Sequence, residues 1–314
     1  MKDRFGREIS YLRLSVTELC DLRCRYCMGE EGVCKKAHAD MLTEEEMIQA
    51  VEAAASLGIR KVRITGGEPL VKPNILSICR RTAAVKGVEE VCLTTNGVRL
   101  SALAVPLWEA GVQRVNISLD TLQAEKFAYM ARRDLHAQAM EGLRAALAAG
   151  FERVKVNAVL IGGFNDEEIP ALGDLTKRYP LDVRFIELMP MTAGFSPEAF
   201  LPADTVLKRL PDLRPEGEEG VARTYRLPGG LGTVGLISPL SRKFCAQCDR
   251  IRLTADGKLK PCLHHGIEYP IKGLGPEKMR EQFRRAIWEK PACHGELSAE
   301  SPSLAGRAMN EIGG

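Results

Sequence analysis

Over the first 190 residues, segments rich in β-branched and aliphatic residues alternate with helical patterns, and few folds accept that order. Strands are expected at 11–16, 61–65, 88–95, 112–119, 153–160 and 181–188. A helix should start at Thr43, where Thr43 and Glu46 have the spacing of a capping box. It should stop at Gly58, since glycine accepts the left-handed C-cap conformation. Further helical patterns cover 100–110, 121–149 with a break near Arg133, and 166–178. Strands alternating with helices argue for a parallel sheet with right-handed crossovers. Six such units are too few for a closed eightfold barrel. The expected fold class is therefore α/β, an incomplete (βα)6 TIM-like barrel with functional groups at the C-terminal ends of its strands.

The pattern changes after Met189. Pro-rich and Gly-rich stretches appear, among them Phe200-Leu201-Pro202 and Leu227-Pro228-Gly229-Gly230. The acidic stretch 212–220 reads as a loop, short strands are expected at 224–227, 231–237, 249–254 and 258–261, and a helix at 275–288. This gives two domains: a partial barrel at 1–190 and a smaller α+β part at 191–314 that covers the barrel opening. Lys plus Arg is 44 against 41 for Asp plus Glu, a net charge of +3 that gives no reason to expect nucleic acid or a membrane surface as partner. No apolar run approaches the ~18 residues of a membrane span, and residues 1–10 lack the apolar core of a secretion signal. A cytoplasmic location is expected.

Ten cysteines in a reducing compartment point to metal or redox ligands before disulfides. Six of them cluster as two trios, Cys20-x3-Cys24-x2-Cys27 and Cys245-x2-Cys248-x13-Cys262. Cys34, Cys79, Cys92 and Cys293 stand singly and read as structural; Cys92, within Val91-Cys92-Leu93, reads as a small buried hydrophobe. A structural zinc or an ordinary [4Fe–4S] cluster takes four protein ligands. Three thiolates leave one iron open to a substrate or cofactor.

The first trio lies on a loop after the first strand, with Tyr26 beside its third cysteine. This arrangement resembles the radical S-adenosylmethionine superfamily. The resemblance implies that the open iron chelates the methionine end of the cofactor and that reductive cleavage of its S–C bond releases a 5′-deoxyadenosyl radical. It implies cofactor contacts at Tyr26, at Gly67 within Gly66-Gly67-Glu68-Pro69, at Ser118 ending the fourth strand and at Met189 after the sixth. Two glycines at a strand end are expected to let the backbone approach a ligand closely.

The run Phe244-Cys245-Ala246-Gln247-Cys248-Asp249-Arg250-Ile251-Arg252-Leu253-Thr254 through Cys262 resembles the C-terminal cluster of the GTP 3′,8-cyclases of molybdenum cofactor biosynthesis. Leu12-Arg13-Leu14-Ser15-Val16-Thr17, Arg63-Ile64-Thr65-Gly66-Gly67-Glu68-Pro69 and the terminal Ile312-Gly313-Gly314 match that family too. The resemblance covers about residues 4–314. It implies two [4Fe–4S] clusters, S-adenosylmethionine as cofactor and GTP as substrate. The radical would take hydrogen from ribose C3′, and the carbon radical would attack guanine C8. Arg13, Arg63, Thr94, Lys155, Arg250, Ile251 and Arg252 are the implied GTP contacts, with Lys61, Arg184, Gly313 and Gly314 as further candidates. A triphosphate calls for several cations, and arginine forks grip its oxygens in pairs. No side chain is assigned as acid or base, because the clusters and cofactor carry the hard chemistry. An electron donor and the pyranopterin-forming enzyme are implied as partners, and the chain is expected to be a monomer or homodimer.

Two other readings stay open at this point: a radical enzyme that modifies peptides with an auxiliary cluster, and a non-catalytic zinc or iron–sulfur module. The sequence departs from the family where Cys27-Met28-Gly29 stands in place of a cysteine, methionine and proline, which bears on the loop at 29–40.

Overall fold

The computed structural model describes residues 1–33, 36–191, 196–298 and 301–313. Cys34 and Gly314 lie outside them.

Six strands form as expected, with helices in the five connections between them. The strands are β1 (Tyr11–Ser15), β2 (Lys61–Thr65), β3 (Glu90–Thr95), β4 (Arg114–Ser118), β5 (Arg153–Leu160) and β6 (Asp182–Glu187). The intervening helices are α1 (Glu44–Ala55), α2 (Ile75–Ala84), α3 (Leu100–Glu109), α4 (Ala124–Ala131), α5 (His136–Ala148), α6 (Ile169–Gly173) and α7 (Leu175–Arg178). The capping box of α1 is formed: Thr43 Oγ1 accepts from Glu46 N at 3.2 Å, and Glu46 Oε2 accepts from Thr43 N at 2.9 Å. The break near Arg133 falls at Arg132, whose φ of 52° ends α4 in the left-handed region.

The C-terminal part adds α8 (Thr205–Arg209), β7 (Arg214–Glu219), β8 (Ala222–Arg226), β9 (Val234–Ile237), β10 (Arg250–Leu253), β11 (Lys258–Lys260), β12 (Tyr269–Pro270), α9 (Pro276–Trp288) and α10 (Met309–Ile312). The acidic segment expected as a loop is thus largely strand β7. Its residues are almost all exposed, so no buried alternation marks it; its pairing with β8 makes it a strand.

One sheet joins everything, in the order β12-β11-β10-β1-β2-β3-β4-β5-β6-β9-β8-β7. β9 pairs parallel with β6 and β10 pairs parallel with β1, so the six-stranded barrel gains one parallel strand at each edge. Leu12, Leu14, Val62, Ile64, Val115, Ile117, Val154, Val156, Val183 and Phe185 are buried between sheet and helices. Their alternate neighbours face the barrel interior, where a cavity of about 580 Å³ opens.

Candidate active site

The strand register places the two cysteine trios at opposite ends of this cavity. Cys20, Cys24 and Cys27 follow β1 and lie beyond its C-terminal end. Cys245 and Cys248 precede β10, whose first residue, Arg250, pairs with Tyr11 at the start of β1. β11 runs back antiparallel and delivers Cys262 to the same end. The strand β1 between the two ends has five residues, about 16 Å at the usual rise. All six cysteines line the cavity, as do Tyr26, Gly67, Ser118 and Met189 toward the first trio.

Backbone contacts fix the first loop. Gly67 N donates to Thr17 O at 2.7 Å, and Glu68 N donates to Leu19 O at 2.8 Å. A Cβ at Gly67 would stand 2.4 Å from Leu19 O, and one at Gly66 would stand 2.6 Å from Thr17 O. These glycines admit the chain's own cysteine loop, a close approach that a side chain would block. Glu68 is buried, and its carboxylate accepts from Leu70 N at 2.9 Å, Thr95 Oγ1 at 2.7 Å and Asn96 N at 2.7 Å. Burial raises its pKa to about 7. Tyr26 donates its hydroxyl to Asp120 Oδ2 at 2.8 Å, which ties the loop to the end of β4. Burial lifts Asp120 to about 6.

The thiols of this trio sit in a low-dielectric, acidic corner. Burial, helped by Glu68 and Asp21, pushes Cys20 up to about 12; burial pushes Cys27 up to about 11 and Cys24 well above its usual value. Such thiols become ligands when a metal's positive charge replaces their protons. At the other end, burial would raise Cys248, but Lys290 and Arg250 outweigh it and hold the thiol below its ordinary value. Lys290 is itself fixed by Arg250 O at 2.8 Å and Pro261 O at 2.6 Å. Both donor sets fit iron–sulfur clusters. Among the described residues, no three His, Cys, Asp or Glu side chains surround a single ion-sized point; a cluster spreads its thiolates over several irons and needs no such point.

Between the trios the walls are cationic. Arg13, Lys61, Arg63, Arg114, Lys155, Arg184, Arg250 and Arg252 all line the cavity, with Thr94 beside them. Arg63 Nε donates to the Tyr11 hydroxyl, and its NH1 donates to Leu93 O at 3.2 Å. Burial pushes the Tyr11 phenol up, but Arg63 and Arg13 win and hold it below the ordinary value. Burial and the neighbouring Arg250 pull Arg252 down to about 10. Asn116 and Asn157 add side-chain oxygens that no donor among the described residues satisfies. Buried charge and orphaned acceptors on this scale are costly without a ligand to meet them.

The chain's end enters the same space. Gly313 O accepts from Arg13 Nε at 3.2 Å and Arg252 NH1 at 2.8 Å. One implied contact sits elsewhere: the Ile251 side chain is buried in the hydrophobic core, because alternation along β10 sends Arg250 and Arg252 inward and Ile251 outward. Tyr11, Glu68, Asn116, Asp120, Asn157, Glu219, Lys290, His264, His294 and Asn310 line the cavity without having been expected there. For those on the barrel strands the signal was available, as polar residues at every second position.

Residues 14–176 match the model of the radical SAM superfamily, and residues 181–296 match that of Molybdenum Cofactor Synthesis C. The GTP 3′,8-cyclase of Moorella thermoacetica is 47% identical over 329 residues, covering 100% of both chains. The chain belongs to the GTP 3′,8-cyclase family. The GTP 3′,8-cyclase of Alkaliphilus oremlandii is 44% identical over 321 residues, again covering 100% of both, and that of Peptoclostridium acidaminophilum is 46% identical over 322 residues, covering 99% of this chain and 98% of the other. Among solved structures, Streptococcus suis SuiB bound to its precursor peptide SuiA shares the fold, with a TM-score of 0.64 at 13% identity over 91% of this chain and 66% of that one. The chain thus spans about two thirds of the SuiB chain. The structure of anSMEcpe with bound AdoMet gives 0.62 at 14% identity over 94% of this chain and 80% of that one. These likenesses speak for the fold; full-length identity to the cyclases places the chain in the family.

Proposed function

We propose that the protein is a radical S-adenosylmethionine enzyme that converts GTP to (8S)-3′,8-cyclo-7,8-dihydroguanosine 5′-triphosphate, the first step of molybdenum cofactor biosynthesis. The observation that carries this is one cation-lined chamber with a three-thiol site at each end. Cys20, Cys24 and Cys27 would hold the cofactor-binding cluster, with Tyr26, Gly67, Ser118 and Met189 around the cofactor. Cys245, Cys248 and Cys262 would hold the substrate-binding cluster. When bound, the first cluster and S-adenosylmethionine supply a 5′-deoxyadenosyl radical competent to take hydrogen from ribose C3′.

The chain's part is to hold and enclose. Arg13, Lys61, Arg63, Thr94, Lys155, Arg184, Arg250 and Arg252 hold GTP: so many cations around one cavity suit a polyanion, even with Lys61 paired to Glu90 and Lys155 and Arg184 paired to Glu219. Arg250 and Arg252 are the cations nearest the second trio along the strand. α10 and Gly313 pack across the end of the chamber, where Ile312 is fully buried, and so shield the site from water. The division at residue 190 separates cofactor binding from the part that supplies the second cluster. An electron donor and a pyranopterin-forming enzyme act with it, in the cytoplasm, on a monomer or homodimer. No helix among the described residues is long and apolar enough to cross a membrane.

Anaerobic reconstitution tests the reading. About eight irons per chain, two clusters of four, with GTP-dependent release of 5′-deoxyadenosine, are expected. Cys245→Ala should keep uncoupled cofactor cleavage and lose the cyclic product. Zinc at the C-terminal trio, or deoxyadenosine release indifferent to GTP, would overturn it.

A further inference from the structure

At the N-terminal ends of β4–β6, four cations converge on one carboxylate that the reaction does not need. Glu219 ends β7. Its Oε1 lies 2.7 Å from Lys155 Nζ, 3.1 Å from Arg153 NH1 and 3.9 Å from Arg114 NH1. Its Oε2 lies 2.8 Å from Lys155 Nζ and 2.9 Å from Arg184 NH2. Lys155 donates to both oxygens of Glu219, and Asp182 Oδ2 lies 3.4 Å away as a further ion-pair partner. Lys155 and Arg184 are two of the residues assigned above to GTP. Neither can turn fully to a phosphate while Glu219 stays.

The two carboxylates at this spot are held differently. Asp182 is locked into the fold: its Oδ1 accepts from Thr233 N at 3.0 Å and Thr233 Oγ1 at 2.7 Å. Glu219 stands at the tip of the β7–β8 hairpin, followed by Gly220 with a φ of 62°. β7 is the outermost strand, pairs only with β8, is irregular between Pro215 and Gly217, and is almost wholly exposed. An exposed edge strand with few buried contacts shifts at low cost, while β8 stays paired to β9 with Ala222 buried.

We propose that Glu219 is an internal stand-in anion of the triphosphate seat, which the polyphosphate of the substrate displaces as Glu219 and the exposed edge strand β7 shift away from the cations. The idea rests on the GTP reading above. Glu219 keeps the cations ordered and neutralised, and it sets a threshold: a ligand seats only if it brings more negative charge than the carboxylate it replaces. That makes it a specificity-determining residue for polyphosphorylated substrates.

The test is calorimetric titration of the reconstituted enzyme with inorganic tripolyphosphate and with guanosine at pH 6.5. Glu219→Gln should bind tripolyphosphate about tenfold tighter, in line with coupling energies of close charge pairs, and guanosine as the wild type does. Tripolyphosphate binding to the wild type with equal or weaker binding to Glu219→Gln overturns the stand-in role and leaves the phosphate seat intact. No tripolyphosphate binding by either protein overturns the seat as well. Hydrogen exchange on the wild type alone gives a second reading: tripolyphosphate should speed exchange of the 217–222 amides, and slower exchange there would overturn the displacement.

Discussion

The carbonyl of Gly313 accepts a hydrogen bond from Arg13 Nε at 3.2 Å across 300 residues of chain. The contact joins the last turn of the protein to its first strand, and Arg252 closes it from β10 at 2.8 Å. Gly313 has a φ of 73°, and a Cβ there would stand 2.4 Å from Thr65 Oγ1 and 3.1 Å from Ser15 Cβ. Gly313→Ala therefore meets both backbone strain, about 1–2 kcal/mol, and a wall. Formation of the cyclic product should fall about tenfold or more, with the iron content unchanged. An iron assay and product chromatography on the same preparation check both halves.

What brings the tail there is a fork of charge upstream of α10. Arg307 Nε and NH2 donate to the two oxygens of Glu268 at 2.6 and 2.8 Å, and NH1 and NH2 donate to those of Asp256 at 3.2 and 3.0 Å. Arg307→Lys keeps the charge and loses both forks. Amide exchange over 309–313 should speed up by about tenfold, equivalent to a loss of about 1.4 kcal/mol. A Glu268→Gln change should act in the same direction but less. If Arg307→Lys leaves tail exchange unaltered, the fork does not position the tail.

The barrel and its contents were legible because each strand speaks twice. Tyr11-Leu12-Arg13-Leu14-Ser15 and Arg114-Val115-Asn116-Ile117-Ser118 alternate polar with aliphatic residues. Parallel strands buried on both faces are ordinarily apolar throughout, so this alternation marks an interior built to hold something polar. The same alternation separates Arg250 and Arg252 from Ile251. Two relations were not legible. That the trios face each other depends on parallel pairing of β10 with β1, some 240 residues apart and with no helical crossover to announce it. Glu219 was hidden because β7 lies on the surface and leaves no periodic trace.

Glu68 tests how the cofactor loop is supported. Glu68→Ala leaves Leu70 N, Asn96 N and Thr95 Oγ1 without their acceptor in a buried place. Each orphaned donor costs about 1–3 kcal/mol, so the variant should lose about 3 kcal/mol or more of stability in denaturant unfolding. Loss of less than about 1 kcal/mol would mean that water or a shifted backbone replaces the carboxylate. The same variant should bind iron less firmly at the N-terminal site, since Asn96 also holds Asp21 Oδ1 at 2.7 Å in the cysteine loop.

Lys155 makes the phosphate seat sensitive to pH. Burial first, and then Arg184, bring it down from 10.5 to about 8, with Glu219 and Asp182 opposing. The folded value lies below the unfolded one, so between about 8 and 10.5 the unfolded chain holds the extra proton and global stability gains as pH rises. The cost falls on binding instead: above about 8 the seat loses a cation. Tripolyphosphate affinity should weaken with rising pH through that value, by up to about tenfold per pH unit. A bound polyanion favours the charged amine, so binding near pH 8 should take up a proton, visible as a dependence of the heat on the buffer's ionisation enthalpy. Lys155→Arg keeps its charge throughout. Its affinity should be flat over the same window, and a slope equal to that of the wild type would assign the titration to another group.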